Sequence, residues 1–256
     1  MTNSDRFSLE GKIALCIGGT SGIGGAITLG FAEAGATVLP ASRRKEKADE
    51  TAAEARARGA QAQGYVVDAT DMKALKNLVA QVIEDHGRID ILLNSQGITA
   101  ITDAENACEE DYDAVLNTNL KSVFFSCVEV GRHMLERRSG SILNIASMSS
   151  FRGWPRSVYY GMSKFGVLSL TQTLAAEWSD RGVRVNGIAP GFFPTDLTRT
   201  AMKPERKQRA LEGTPMGRFG DVEELSGTAV YLCSEAAKFV TGETICVDGG
   251  YMAKGI

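Results

Sequence analysis

The chain has 256 residues, 43% hydrophobic and 23% charged, with a net charge of −3 and a pI near 5.6. That composition suits a globular protein with a full core, and it argues against a partner such as nucleic acid or an anionic membrane surface. The polar opening Met-Thr-Asn-Ser-Asp-Arg holds no signal-peptide core, so the expectation is a cytoplasmic protein.

In chain order, apolar strand-like runs at 12–18, 36–41, 62–67, 89–94, 141–146, 183–189 and 244–247 alternate with helix-like stretches at 22–34, 45–58, 71–86, 109–138, 157–180 and 221–233. The twenty residues 13–32 are uncharged throughout but carry six glycines, so they read as strand, turn and helix rather than a membrane span. The strands are continuous runs of Val, Ile and Leu, as expected when helices cover both faces. The alternation predicts an α/β fold, a doubly wound parallel sheet of seven strands with helices on both faces. No repeat, low-complexity tract or linker interrupts it, and the expectation is a single domain over 1–256.

Ligands of such sheets bind beyond the carboxyl ends of the strands. The residues there are Gly18-Gly19-Thr20-Ser21-Gly22-Ile23-Gly24, then Ser42-Arg43-Arg44, Asp68, Asn94-Ser95-Gln96-Gly97, Ser147 and Pro190-Gly191. The glycine-rich turn after the first strand permits close approach of a phosphate to backbone amides at a helix N-terminus. After the second strand, a carboxylate would accept from a free ribose 2′-hydroxyl, whereas cations suit a 2′-phosphate. Ser42, Arg43 and Arg44 therefore point to NADP(H) rather than NAD(H). The competing reading is a solvated basic helix start, although such a start opposes the helix dipole.

Tyr160 and Lys164 stand four residues apart, on one helix face, and Ser147 precedes Tyr160 by thirteen residues. Lowering a phenol from its ordinary pKa of about 10 to near neutrality takes about 3–4 kcal/mol. One cation at about 4 Å supplies about 4 kcal/mol at an effective dielectric near 20. Tyr159 has Ser163 at the matching position and lacks that ammonium. Five scattered cysteines and two isolated histidines, His86 and His133, predict reduced buried thiols and no metal site.

Jointly, Gly18-x-x-x-Gly22-x-Gly24, Asp68, Asn94-x-x-Gly97, Asn119-Leu120, Ser147, Tyr160-x-x-x-Lys164, Pro190-Gly191 with Thr195, and Val247-Asp248-Gly249-Gly250 closely resemble the short-chain dehydrogenase/reductase family over nearly the whole chain. The resemblance implies a Rossmann-type sheet. It implies Tyr160 as general acid/base, and Lys164 lowering its pKa and holding the nicotinamide ribose. Ser147 would polarise the substrate oxygen, and Asn119 would position a water beside Lys164. Ser42 stands where NAD-binding members place Asp. Asp68 and Ala69 would border the adenine, Asn94 the adenosine ribose, and Thr195 the carboxamide. Two departures matter: Ile17 replaces a usual threonine, and Ser95-Gln96 replace a usual Asn-Ala.

The loop 151–156 carries Trp154, a stacking face for substrate, and 192–219 reads as a substrate lid. Ala176-Glu177-Trp178 and Thr214-Pro215-Met216-Gly217-Arg218-Phe219-Gly220 are most similar to gluconate 5-dehydrogenase-like members, implying a secondary alcohol and ketone on a sugar, sugar acid or polyol. The alternatives are a 3-oxoacyl-carrier-protein reductase and a non-catalytic NADP-binding regulator. Between 158 and 176 the only charge is Lys164, so that helix wants cover on more than one side. The resemblance implies a homotetramer.

Overall fold

Alternation along each strand decides the architecture. The computed structural model describes Thr2, residues 5–195 and residues 204–254. Its elements are β1 (Ile13–Ile17), α1 (Gly22–Glu33), β2 (Thr37–Ser42), α2 (Lys45–Ala57), β3 (Tyr65–Val66), α3 (Met72–His86), β4 (Ile91–Asn94), α4 (Glu109–Leu116), α5 (Ser122–Arg137), β5 (Gly140–Ile145), α6 (Val158–Trp178), β6 (Val183–Pro190), α7 (Pro204–Gly213), α8 (Ser226–Cys233) and β7 (Thr244–Val247).

Leu15, Leu92, Ile142 and Val185 face one side of the sheet, where Leu75 and Val82 of α3, Val130 of α5 and Val167 of α6 cover them. Ala14, Cys16, Leu93 and Leu143 face the other, against Ile27 and Phe31 of α1 and Leu232 of α8. Each fully buried Leu or Ile contributes roughly 1.5–3 kcal/mol. Among the described residues the seven strands pair in parallel in the order β3-β2-β1-β4-β5-β6-β7. The order reverses between β1 and β4, the switch point at which such sheets open a crevice.

Four expectations change in detail. The third strand is two residues long, with Val38 bridging Ala62 ahead of it; Gly64 between them packs on the Ala48 backbone of α2. The long helix expected over 109–138 is broken by a π turn at Asn117–Lys121. The stretch 221–233 opens with a 3-10 turn, Val222–Leu225, before α8. The lid segment contains a helix, α7, and its residues 196–203 lie outside the described residues.

Cys16, Cys127 and Cys233 are buried, and burial pushes their thiols up to about 12. Cys108 and Cys246 are exposed, which corrects the buried reading for those two. Among the described residues there is no cluster of metal-ligating side chains and no helix long and apolar enough to cross a membrane.

Candidate active site

All strands point their carboxyl ends at one rim, and along it runs a cleft of about 510 Å³. At its centre the β1–α1 turn needs glycine for two reasons. Gly18 has φ of +74°, and a Cβ there would stand 2.5 Å from the Gln96 nitrogen. A Cβ on Gly24 would collide with the Gly18 carbonyl oxygen. Ser21 caps α1 without a side-chain hydrogen bond, so the first amides of the helix are left for a ligand. Thr20, Ser21, Gly22, Ile23 and Gly24 line the wall.

One end of the cleft is reached at β2. Arg43 and Arg44 are exposed on its lining, at the start of α2. The Ser42 hydroxyl is spent locally, donating to the Arg44 carbonyl at 3.1 Å and accepting from the Arg44 amide at 3.3 Å. Asp68 accepts from the Thr70 amide at 2.9 Å and hydroxyl at 2.7 Å. Those bonds, with Arg43 nearby, hold its carboxyl below the usual range. Ala69 completes this wall.

Beyond β4, the structure separates residues that the motif ran together. Asn94 is buried and faces away from the cleft. Its amide donates to Asn144 at 2.9 Å and to the Cys127 sulfur at 3.3 Å, and its oxygen accepts from Ser126 at 2.7 Å. It ties β4 to β5 and α5, so its side chain is not available to the expected ribose. Gly97 does line the cleft, beside Ser95, Gln96 and Ile98. Asn119 sits in the π turn, fully buried. Its oxygen accepts from the Ile98 amide at 2.8 Å, and its nitrogen donates to the Ile98 carbonyl at 2.9 Å and to Ser163 at 3.1 Å. Its carboxamide is thereby committed to protein groups beside Lys164.

The other end gathers Ser147, Tyr160 and Lys164 on the cleft lining. Ser147 stands two residues beyond β5 and caps a short 3-10 turn, accepting from the Ser149 amide at 3.1 Å. Ser150 donates to the Lys164 carbonyl at 2.7 Å, joining that turn to α6. Lys164 donates to the Ile145 carbonyl at 2.7 Å, and its ammonium lies 5.7 Å from the Tyr160 ring centre. Burial draws the Lys164 ammonium down to about 8. Burial raises the Tyr160 phenol above its ordinary value, and a hydrogen bond from Ser147 draws it partly back. The Lys164 ammonium lies by the ring and on the Ile145 carbonyl, and its charge is not among the causes of the Tyr160 shift. Tyr159 is occupied elsewhere, accepting from the Cys108 amide at 2.6 Å and donating to its carbonyl at 3.1 Å.

Pro190, Gly191 and Thr195, with Phe193, form the far wall. Trp154 stands outside the lining, in an aromatic cluster with Phe192 at 6.2 Å and Tyr251 at 5.5 Å between ring centres. Sequence reasoning missed Thr118, Ser122 and Phe193 on the lining; the first two adjoin the Asn119-Leu120 motif, but nothing local marks their direction.

A family model described as enoyl-(acyl carrier protein) reductase matches residues 18–252. The chain is 42% identical to the 3-oxoacyl-acyl-carrier-protein reductase of Thermotoga maritima, over 94% of this chain and 98% of that one. It is 39% identical to gluconate 5-dehydrogenase of Gluconobacter oxydans, over 98% of each. Among solved structures, a gluconate 5-dehydrogenase from Burkholderia cenocepacia in complex with NADP and tartrate superposes with a TM-score of 0.96 at 36% identity, covering 99% of this chain and 100% of that chain.

Proposed function

Since the chain belongs to the short-chain dehydrogenase/reductase family of oxidoreductases acting on CH–OH groups, we propose that it is an NADP(H)-dependent enzyme. Its reaction interconverts a secondary alcohol and a ketone on a sugar, sugar acid or polyol. The observation that carries this reading is that one cleft joins exposed arginines, a glycine turn and the Ser147, Tyr160 and Lys164 side chains.

The cleft residues fit the cofactor. The 18–24 turn, where Gly18, Gly19 and Gly24 have no room for a Cβ, suits a diphosphate on the α1 amides. Arg43, with Arg44 and Ser42, would hold the 2′-phosphate; Asp68 and Ala69 would border the adenine; Thr195, Pro190 and Gly191 would flank the nicotinamide. When bound, the cofactor supplies or accepts the hydride. Tyr160 gives or takes the proton at the substrate oxygen. Ser147 donates to that oxygen where negative charge develops. Lys164, drawn down to about 8 by burial, stays largely charged at neutral pH and would hold the ribose hydroxyls. Asn119 is a positioning residue, pinning Ile98 and Ser163 around Lys164.

A second reading, 3-oxoacyl-carrier-protein reductase, is favoured by the 42% identity to such an enzyme. The deciding experiment follows NADPH oxidation and NADP+ reduction with sugar acids, polyols and acetoacetyl thioesters. Turnover of sugar acids or polyols is expected. Turnover of the thioesters alone supports the second reading, and tight NADPH binding without any turnover supports a regulator. The proposal extends to one domain over 1–256, a lid at 192–219 whose Phe192 packs on Trp154, a cytoplasmic location and a homotetramer. Exposed Phe124, Met162 and Phe165 on α5 and α6 support the assembly. Light scattering checks it: a monomeric active enzyme removes it.

A further inference from the structure

Lys164 holds the segment after β5 at two points. Its ammonium donates to the Ile145 carbonyl, and its own main-chain carbonyl accepts from the Ser150 hydroxyl at 2.7 Å. Ser147 stands between those two grips. The Ser150 hydroxyl has one hydrogen, and a carbonyl can only accept, so that hydrogen is committed to Lys164. What Ser150 Oγ has left is a lone pair, and the Ser147 amide donates to it at 3.3 Å. The chain of bonds therefore runs one way, from the Ser147 amide to the Ser150 hydroxyl to the Lys164 carbonyl. Ser150 is fully buried, so bulk water does not stand in for either bond.

The same reasoning fixes the Ser147 hydroxyl. Its oxygen accepts from the Ser149 amide at 3.1 Å. Its hydrogen is left to point onward, and Tyr160 receives it. Tyr160 lies one turn before Lys164 on α6. A 3-10 turn of three residues does not hold its own place. With the Ile145 grip alone, the turn 148–150 would be free to pivot about the end of β5 and carry Ser147 off the phenol. We propose that Ser150 is a positioning residue, its hydroxyl tying the Ser147 amide to the Lys164 carbonyl and so fixing the reach from the Ser147 hydroxyl to the Tyr160 oxygen. Ser150 touches no reacting atom; it acts through Ser147.

This rests on the oxidoreductase reading above for its kinetic arm alone, and the test keeps the two apart. Ultraviolet titration of cofactor-free protein follows the Tyr160 phenol as the difference between each protein and its Tyr160→Phe counterpart. In Ser150→Ala the phenol should ionise at higher pH, because a hydrogen bond from Ser147 favours the phenolate. Lys164, the charged group beside the Tyr160 ring, is kept in every variant. Ser147→Ala should shift the titration the same way, and the double variant should shift no further than Ser147→Ala alone. With a sugar acid or polyol that wild type turns over, Ser150→Ala should lose about 10- to 100-fold in kcat, as a misplaced group does. KM and NADPH affinity should hold. The melting temperature should fall by about 2–4 °C for the lost bonds. Tyr159→Phe is the control, with a similar fall and most activity kept. An unchanged titration in Ser150→Ala overturns the inference, as do additive effects of the two serine variants or a loss confined to KM. Wild type that turns over no substrate, while the titration shifts as expected, overturns the oxidoreductase reading and supports the positioning role.

Discussion

The cleft has two ends. At one, Lys164 is 4% exposed, its ammonium rests on the Ile145 carbonyl, and Ser147, Ser150 and Asn119 bind the backbone around it. At the other, Arg43 and Arg44 stand exposed just before α2, and Ser42 closes a local turn. The difference follows from what each end must do. Proton transfer needs atoms held in place and a pKa set by burial, so every neighbour is engaged. Charge recognition of a phosphate needs only cations near the right point, and solvated arginines can supply it.

Tyr160→Phe gives the largest expected effect, a fall in kcat of about 10²- to 10⁴-fold as befits a lost acid/base group. NADPH affinity measured by titration should stay nearly unchanged. Comparable rates for the two proteins would dissolve the contrast between the ends.

Burial of Lys164 should show in stability next. Its folded pKa of about 8 lies below its ordinary 10.5, so between those values the unfolded chain binds the extra proton. Stability from this site therefore rises as pH climbs through that window, by about 3 kcal/mol. Denaturant midpoints at pH 7.5 and 10 should converge differently for wild type and Lys164→Met: the wild type gains relative to the variant at the higher pH. Parallel curves would mean that the ammonium is not held in a desolvated place.

At the exposed end, Arg43→Ala should weaken NADPH by about 10- to 150-fold, the loss of one charged hydrogen bond of about 1.5–3 kcal/mol. NADH binding should hardly move. Ser42→Asp should go further and shift preference toward NADH, since a carboxylate repels the phosphate. Equal kcat/KM losses for both cofactors would return the arginines to a solvated helix start. The smallest effect is Tyr159→Phe, about 1 kcal/mol of stability from its bonds to Cys108, with most activity retained.

What was legible in the sequence were features set by local chemistry. Glycines at the β1–α1 turn, the basic end of β2 and the four-residue step from Tyr160 to Lys164 each declare themselves within a few residues. What was not legible depends on partners far along the chain. Asn94 turns inward because Ser126, Cys127 and Asn144 await it, 32, 33 and 50 residues away. Trp154 joins Phe192 and Tyr251 rather than the cleft. Helix α7 was hidden because Pro204 and its charged neighbours read as loop. The Gln96 amide donates to Ser122 at 3.1 Å, a partner that only the fold brings near.

The π turn at Asn117–Lys121 has a further meaning for insertions and deletions. Such a turn amounts to one surplus residue in an α-helix, and each α-helical residue advances the spiral by about 100°. Removing a single residue there would leave a longer, more regular helix from α4 into α5. The flanking helices would keep nearly the same phase, but the residues within the turn would lose their offset, and the carboxamide at 119 would miss Ile98 and Ser163. Substitutions nibble at this site, but one lost codon would silence it while leaving a helix that looks better formed than the original.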